Sequence, residues 1–366
     1  MPRARIEAID GLRALALLPV VVVNFVGYPG MPSGALLPAP AADEGVLAWA
    51  TGVAVLALLQ GKGLALLMLL FGLGLTLGGA APQRLNRLLG LGLLHGLLLY
   101  MGDIVSQYAL LGRWLRRWQA WRPARLWRRV RLWLGVGLLL QLTAALVAAW
   151  LAQQAEAHDD LPLADWTGLP DWWRDNTIGY LSYLVGVLLL LWPWMLGLTG
   201  LGLLVGRLRV LTHRRWLPLR QRLARWAAPM LLLQLLWSAA MAPVLLGGGH
   251  AVAECVQGVL GTLAVLVWVP WLLQALPRWP AWLVAAGRQT LSLYLLCSLA
   301  TVLTWCAWAG GWRPGLVPAC AAAVLLWAGL MALGAWATRR GLRLPAEAWL
   351  AARRPARAPM APRGLP

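Results

Sequence analysis

The chain is a succession of long apolar runs separated by short polar ones. A helix needs about 20 apolar residues, with about 17 as the lower end, to cross hydrocarbon. Runs near or above that length recur at 13–29, 63–79, 88–102, 104–115, 132–152, 179–206, 227–246, 252–273, 287–309 and 315–337. They are continuous rather than alternating, which argues against the short dyad segments of a membrane barrel. Helices remain, because in lipid the backbone must be satisfied within each segment. The pattern predicts an all-α polytopic transmembrane helix bundle of about ten spans. Segment 104–115 is too short to cross alone and is expected to tilt or pack inside the bundle. Segment 43–60 is semi-polar and is expected to lie along the membrane surface. Residues 1–340 read as one transmembrane domain, and the Arg- and Pro-rich stretch 341–366 as a disordered tail.

Composition agrees. The chain is 60% hydrophobic and only 12% charged, against roughly 25% charged in soluble domains. The N-terminus carries basic residues, an apolar stretch and then "APAA", as a cleaved signal would. Asp10 and Arg13 interrupt the apolar part, so a retained first span is expected. The net charge of +19 is held in short clusters between spans, which argues for a membrane surface rather than nucleic acid. Lys62 is the only lysine. With a cytoplasmic N-terminus, 29 of the 32 basic residues face inward, leaving Lys62, Arg174 and Arg313 outside. That is the bias expected of a cytoplasmic face, and it places both termini inside. Loop 153–178, with six acidic residues and Trp166, Trp172 and Trp173, falls outside. "RRWQAWRPARLWRRVR" reads as an anchor to anionic lipid head groups, or as a site for an anionic head group or nucleotide phosphate. The four cysteines show no CxxC spacing, and no metal cluster, GxSxG or P-loop is present.

A few polar and small residues inside the spans carry the candidate chemistry. Asp10 and Arg13 are three apart and pair on one helix face. Asn24 lies eleven residues beyond Arg13, about three turns on, so the two look down the same side. Arg288 opens the ninth span and needs a partner. Gly72, Gly74, Gly92 and Gly96 are expected as structural close-contact positions, with GxxxG spacing in Gly74–Gly78 and Gly92–Gly96, packing the second span on the third. His95 stands in "GLGLLHGLLLYMGDIVSQYALLG", eight residues from both Arg87 and Asp103, near the bilayer midplane. An ionisable group there suggests either a functional site or an interhelical hydrogen bond. Neutral imidazole is the form a general base needs. On a continuous helix Asp103 is about 12 Å from His95, too far to touch it. Asp103 is expected to cap the following helix, which carries Gln107 and Tyr108, or to bind an acceptor. His158, His213 and His250 are expected in loops.

"RIEAIDGLRALALLPVVVVNF", "GKGLALLMLLFGLGL", "RLNRLLGLGLLHGLLLYMGDIVSQYALLG" and "AAGRQTLSLYLLCSL" together resemble, in order, the YeiB-type family of bacterial inner-membrane proteins, a domain of unknown function. That family is distantly similar to membrane acyltransferases that include heparan-α-glucosaminide N-acetyltransferase. The resemblance implies a multi-pass inner-membrane protein of the cell envelope. It implies acyl transfer from a cytoplasmic acyl-CoA, as co-substrate rather than resident cofactor, to a glycan, lipid or small-molecule hydroxyl or amine. Asn24 stands where many relatives carry a histidine, Met68 where a serine is common, and Leu293 and Cys297 where Asn and Gln are frequent. The base must therefore come from elsewhere. His95 and Asp103 are the catalytic candidates; Arg13, Asn24, Arg84, Arg87, Gln107, Tyr108 and Arg288 are the substrate-binding candidates, the arginines for donor phosphates. A transporter or lipid-handling protein with an intramembrane His/Asp path is the alternative, though no internal repeat supports it. An accessory structural protein is the third.

Overall fold

A computed structural model describes residues 7–28, 37–38, 40, 44–79, 81–154, 168–246, 250–307 and 314–351. Fifteen α-helices are found among them, and no strand. They are α1 (Glu7–Gly27), α2 (Gly45–Leu58), α3 (Lys62–Gly74), α4 (Pro82–Leu98), α5 (Val105–Leu115), α6 (Pro123–Gln154), α7 (Leu169–Gly186), α8 (Trp192–Leu208), α9 (Leu217–Ala224), α10 (Ala227–Leu245), α11 (Ala251–Ala275), α12 (Ala281–Ala286), α13 (Thr290–Ala307), α14 (Leu316–Arg339) and α15 (Pro345–Ala351).

Eight segments among the described residues are long and apolar enough to cross a membrane. Two are composites, α2–α3 over Gly45–Leu77 and α7–α8 over Leu169–Leu208. Of the ten predicted spans, the third and fourth are the shorter pair, α4 with 17 residues and α5 with 11. They fold back on each other as a hairpin. The protein is a multi-pass integral membrane helix bundle. Its lipid-facing surface shows in the bare leucines of α6, α10 and α14, such as Leu139, Leu232 and Leu325.

Segment 43–60 forms α2, with Gly52 close to Leu246 and Leu316 at the ends of α10 and α14, and α3 follows it in one long apolar segment, Gly45–Leu77. Two expectations are corrected. Lys62 is buried in the bundle rather than outside it. The tail is not wholly irregular either, since α15 docks on α13. Glu347 accepts hydrogen bonds from the Leu291 and Ser292 N–H groups at 2.8 and 3.1 Å and from the Ser292 hydroxyl. Residues 352–366 lie outside the described residues.

The glycines do mark close contacts, with other partners than expected. A Cβ on Gly72 would sit 1.9 Å from the Thr199 carbonyl oxygen, so α3 packs on α8. One on Gly92 would meet the Ser106 nitrogen at 2.1 Å, and one on Gly96 the Tyr180 ring at 2.2 Å, so α4 is gripped by α5 and α7. These two glycines leave no groove for a substrate chain. Gly74 faces Arg13 at 3.3 Å. Of the acidic loop, 155–167 lies outside the described residues. Trp172 is buried, donating to the Tyr28 hydroxyl at 2.6 Å, while Trp173 is exposed.

Candidate functional site

The site begins where α4 stops. The Leu99 and Tyr100 N–H groups both donate to the His95 carbonyl oxygen, at 2.8 and 2.9 Å, which closes the helix. The chain then turns through Met101 and Gly102 and starts α5 with Asp103 as its cap. Asp103 Oδ1 accepts from Val105 N–H at 3.1 Å and Oδ2 from Ser106 N–H at 2.8 Å. The capping role read from the sequence is present. The separation is not: because the helix ends, Asp103 returns to His95, and Nδ1 lies 2.8 Å from Oδ1. Extrapolating one straight helix through Leu99–Ile104 misplaced it.

On the other side of the ring, His95 Nε2 lies 2.9 Å from Ser298 Oγ on α13. Asp103, His95 and Ser298 are all buried, at 0%, 2% and 3% exposure. An ionised Asp103 fixes the tautomer of a neutral ring: Nδ1–H donates to the carboxylate, and Nε2 accepts the Ser298 hydroxyl proton. Sequence reasoning missed Ser298, because a hydroxyl in a membrane helix usually bonds back one turn. Thr301 and Thr304 do so, at 2.9 and 2.7 Å. Ser298 reaches its own Tyr294 carbonyl only at 3.4 Å. The available signal was its position one turn beyond Tyr294, whose ring centroid lies 4.9 Å from that of His95.

Two cavities lie beside this trio without being lined by it, and share Ile104 and Tyr294 in their walls. The first, about 260 Å³, opens at the arginine-rich end and is lined by Arg13, Arg84, Arg288, Glu347, Phe71 and Tyr108 among others. Asp10 holds Arg13 at 3.3 Å and lies 3.8 Å from Arg288, supplying the partner that arginine required. Burial raises the pKa of Glu347 above the usual carboxylate range, against the hydrogen bonds it accepts from α13. The second cavity, about 170 Å³, lies deeper between Pro19, Asn24, Gly61, Tyr100, Tyr183 and Tyr294. Arg13 and Asn24 thus look down one side of α1, each into its own cavity.

Not every candidate gathers there. Arg87 donates to the Trp349 carbonyl at 3.0 Å and covers the Trp349 ring, so it fastens α15 instead of lining the cavity with the other arginines. Gln107 is fully buried behind the walls, and neither amide atom has a partner among the described residues. Tyr108 stacks on Phe71 at 4.6 Å. His213 and His250 stand exposed between helices, as expected, and each also accepts a backbone N–H as a cap, at 3.2 and 3.3 Å; His158 lies outside the described residues. No group of three metal-ligating side chains is found among the described residues. No family model, curated protein or solved structure matches the chain.

Proposed function

We propose that the protein is an acyltransferase of the bacterial inner membrane, with its arginine-rich end and both termini in the cytoplasm. It takes the acyl group from an acyl-CoA and passes it to a hydroxyl or amine of an envelope molecule. The observation that carries this reading is the Asp103–His95–Ser298 chain, two short hydrogen bonds in series beside cavities that lead to three arginines.

In the tautomer that Asp103 selects, His95 is the base and Ser298 the nucleophile. Ser298 passes its proton to His95 Nε2 as Oγ bonds to the thioester carbonyl carbon. The carbon–sulfur bond breaks, and the imidazolium returns the proton to the departing thiolate. The acceptor O–H or N–H then gives its proton to His95 and attacks the acyl-serine, and Ser298 leaves with that proton. Asp103 stays ionised throughout and stabilises the imidazolium. Arg13, Arg84 and Arg288 meet the donor phosphates, for which guanidinium forks are suited. Neither His95 nor Ser298 is among the cavity walls, whereas Tyr294 belongs to both cavities. The Tyr294 ring therefore has to swing aside for the acyl carbon to reach Oγ.

Purified wild-type protein is expected to release free CoA from acetyl-CoA or a longer acyl-CoA. Variants His95→Ala and His95→Gln of confirmed fold are expected to lose that release. Wild-type-like release in both variants overturns the role of His95. Two neighbouring cavities that share a wall are also what a transporter would use, which supports transport as a second reading. Substrate uptake into vesicles without CoA release would select it.

A further inference from the structure

The long apolar segment formed by α2 and α3 is interrupted within the bundle. At its break Gln60 N–H donates to the Val55 carbonyl oxygen at 3.0 Å, one residue earlier than a regular helix requires. Gly61 then takes the left-handed conformation, φ 77°, with the Gly258 Cα atom 3.6 Å from where its Cβ would be. The skipped carbonyl, Leu56, is freed for side chains. Lys62 Nζ donates to it at 2.9 Å and Gln257 Nε2 also donates to it, at 2.6 Å. Lys62 Nζ donates as well to Gln234 Oε1 at 2.9 Å.

This arrangement is incomplete in a consistent way. Lys62 is 4% exposed, and among the described residues no carboxylate lies within 4 Å of it. An ammonium has three N–H bonds, and two are used. Gln234 Nε2 and Ser238 Oγ, both fully buried, have no partner among the described residues, nor do Gln60 Oε1 and Gln257 Oε1. The break also directs the N-terminus of the 13-residue α3, with its unsatisfied N–H groups and positive dipole end, into the same place. An uncompensated cation in a bilayer is expensive and by default belongs to a functional site. Interrupted helices whose half-helix N-termini face an anionic group are a recurring solution for substrate sites in membranes. The 170 Å³ cavity is lined by Leu59, Gly61 and Gly63, the residues that flank the break and the lysine in the chain.

We propose that the α2–α3 break is a binding site for a carboxylate, held by the Lys62 ammonium, the Gln234 amide and the Ser238 hydroxyl. The carboxylate belongs either to a small soluble acid or to a fatty acid, and the test separates the two. The site stands whether or not acyl-CoA is turned over.

Full-length protein in detergent is melted, followed by tryptophan fluorescence, against sodium acetate, sodium octanoate and sodium chloride at matched ionic strength. Acetate or octanoate is expected to raise Tm saturably, and whichever does so names the source. Chloride is expected to leave Tm unchanged. Lys62→Met, which keeps the stem and removes the charge, is expected to lose the shift. Gln234→Glu, which builds a carboxylate beside Nζ, is expected to raise Tm without ligand and abolish the response. No shift with either acid, an equal shift with chloride, or a shift that persists in Lys62→Met overturns the proposal. If Lys62→Met does not fold, a full acetate or octanoate response in Gln234→Glu does the same.

Discussion

Two polar clusters lie inside this bundle, and they are built on opposite plans. Around His95 the carboxylate and both ring nitrogens are all engaged, although the neighbouring Tyr100 and Tyr294 hydroxyls have no partner among the described residues. Asp103 alone accepts three hydrogen bonds. Around Lys62 two bonds hold the amine, while four polar atoms on three elements are left without partners among the described residues. Both clusters are buried, and both follow from a helix that ends early. The difference lies in what the break exposes. At the end of α4 the next residue able to accept is a carboxylate that folds back on the histidine. At the end of α2 no carboxylate follows, and the charge is left for something else to neutralise. A closed set holds reacting groups in one geometry; an open set waits for a ligand.

The comparison breaks most severely at Gly92. Any side chain there collides with the Ser106 backbone, whereas Gly90 has nothing within 4 Å. Gly92→Leu is expected to abolish folded protein by driving α5, and Asp103 with it, away from His95. Gly90→Ala is expected to express and melt as wild type, measured by size-exclusion yield and thermal melting. Removing one member of the closed set comes next. His95→Ala takes one donor from the buried Asp103 carboxylate and leaves the Ser298 hydroxyl without its acceptor, a loss on the order of 1–3 kcal/mol. Ser298→Ala deletes one neutral bond, worth about 0.6 kcal/mol on average in a membrane. Denaturant or thermal melting should rank them in that order.

Lys62→Met tests the contrast from the other side. Replacing an unpaired buried charge with an apolar side chain of similar volume is expected to leave stability unchanged or raise it, opposite in sign to His95→Ala. If both substitutions destabilise equally, the two clusters are not built on different plans.

The smallest effect belongs to the arginine-lined cavity. Burial raises the Glu347 pKa, so the folded state favours the protonated carboxyl. Its contribution is then largest at pH below the ordinary carboxylate value and is lost as pH rises through the raised one. Docking of α15 should be tighter in acid than in alkali, as read by protease cleavage of the C-terminal segment, and Glu347→Gln should remove that dependence.

Much of this fold was legible in the sequence, because lipid forces helices and the apolar runs measure their length. Ten predicted spans correspond to eight long segments and the α4–α5 pair. The pairing of Asp10 with Arg13, the shared side of Arg13 and Asn24, and the Asp103 cap were legible too, being local and set by helical periodicity. What was not legible depends on where a helix stops inside the membrane. Gly102 and Asp103 mark a break between two spans, but not the tightness of the turn that brings the carboxylate back onto His95. Leu59–Gly61 reads as an edge of a span, although it lies in the middle of one. Ser298 and Gln234 are met only across the bundle, 203 and 172 residues from their partners. Periodicity along one helix carries no information about which neighbour that helix meets.

The central claim is that Asp103, His95 and Ser298 form a working acyl-transfer set. It is tested most directly by incubating purified wild-type and Ser298→Ala protein with acyl-CoA, without acceptor, and locating any covalent acyl group by peptide mass spectrometry. The account predicts one acyl group on Ser298 in the wild type, matched by released CoA, and none in Ser298→Ala or His95→Gln. A wild type that neither releases CoA nor gains an acyl group with any chain length, or a Ser298→Ala protein acylated as fully as the wild type, contradicts it.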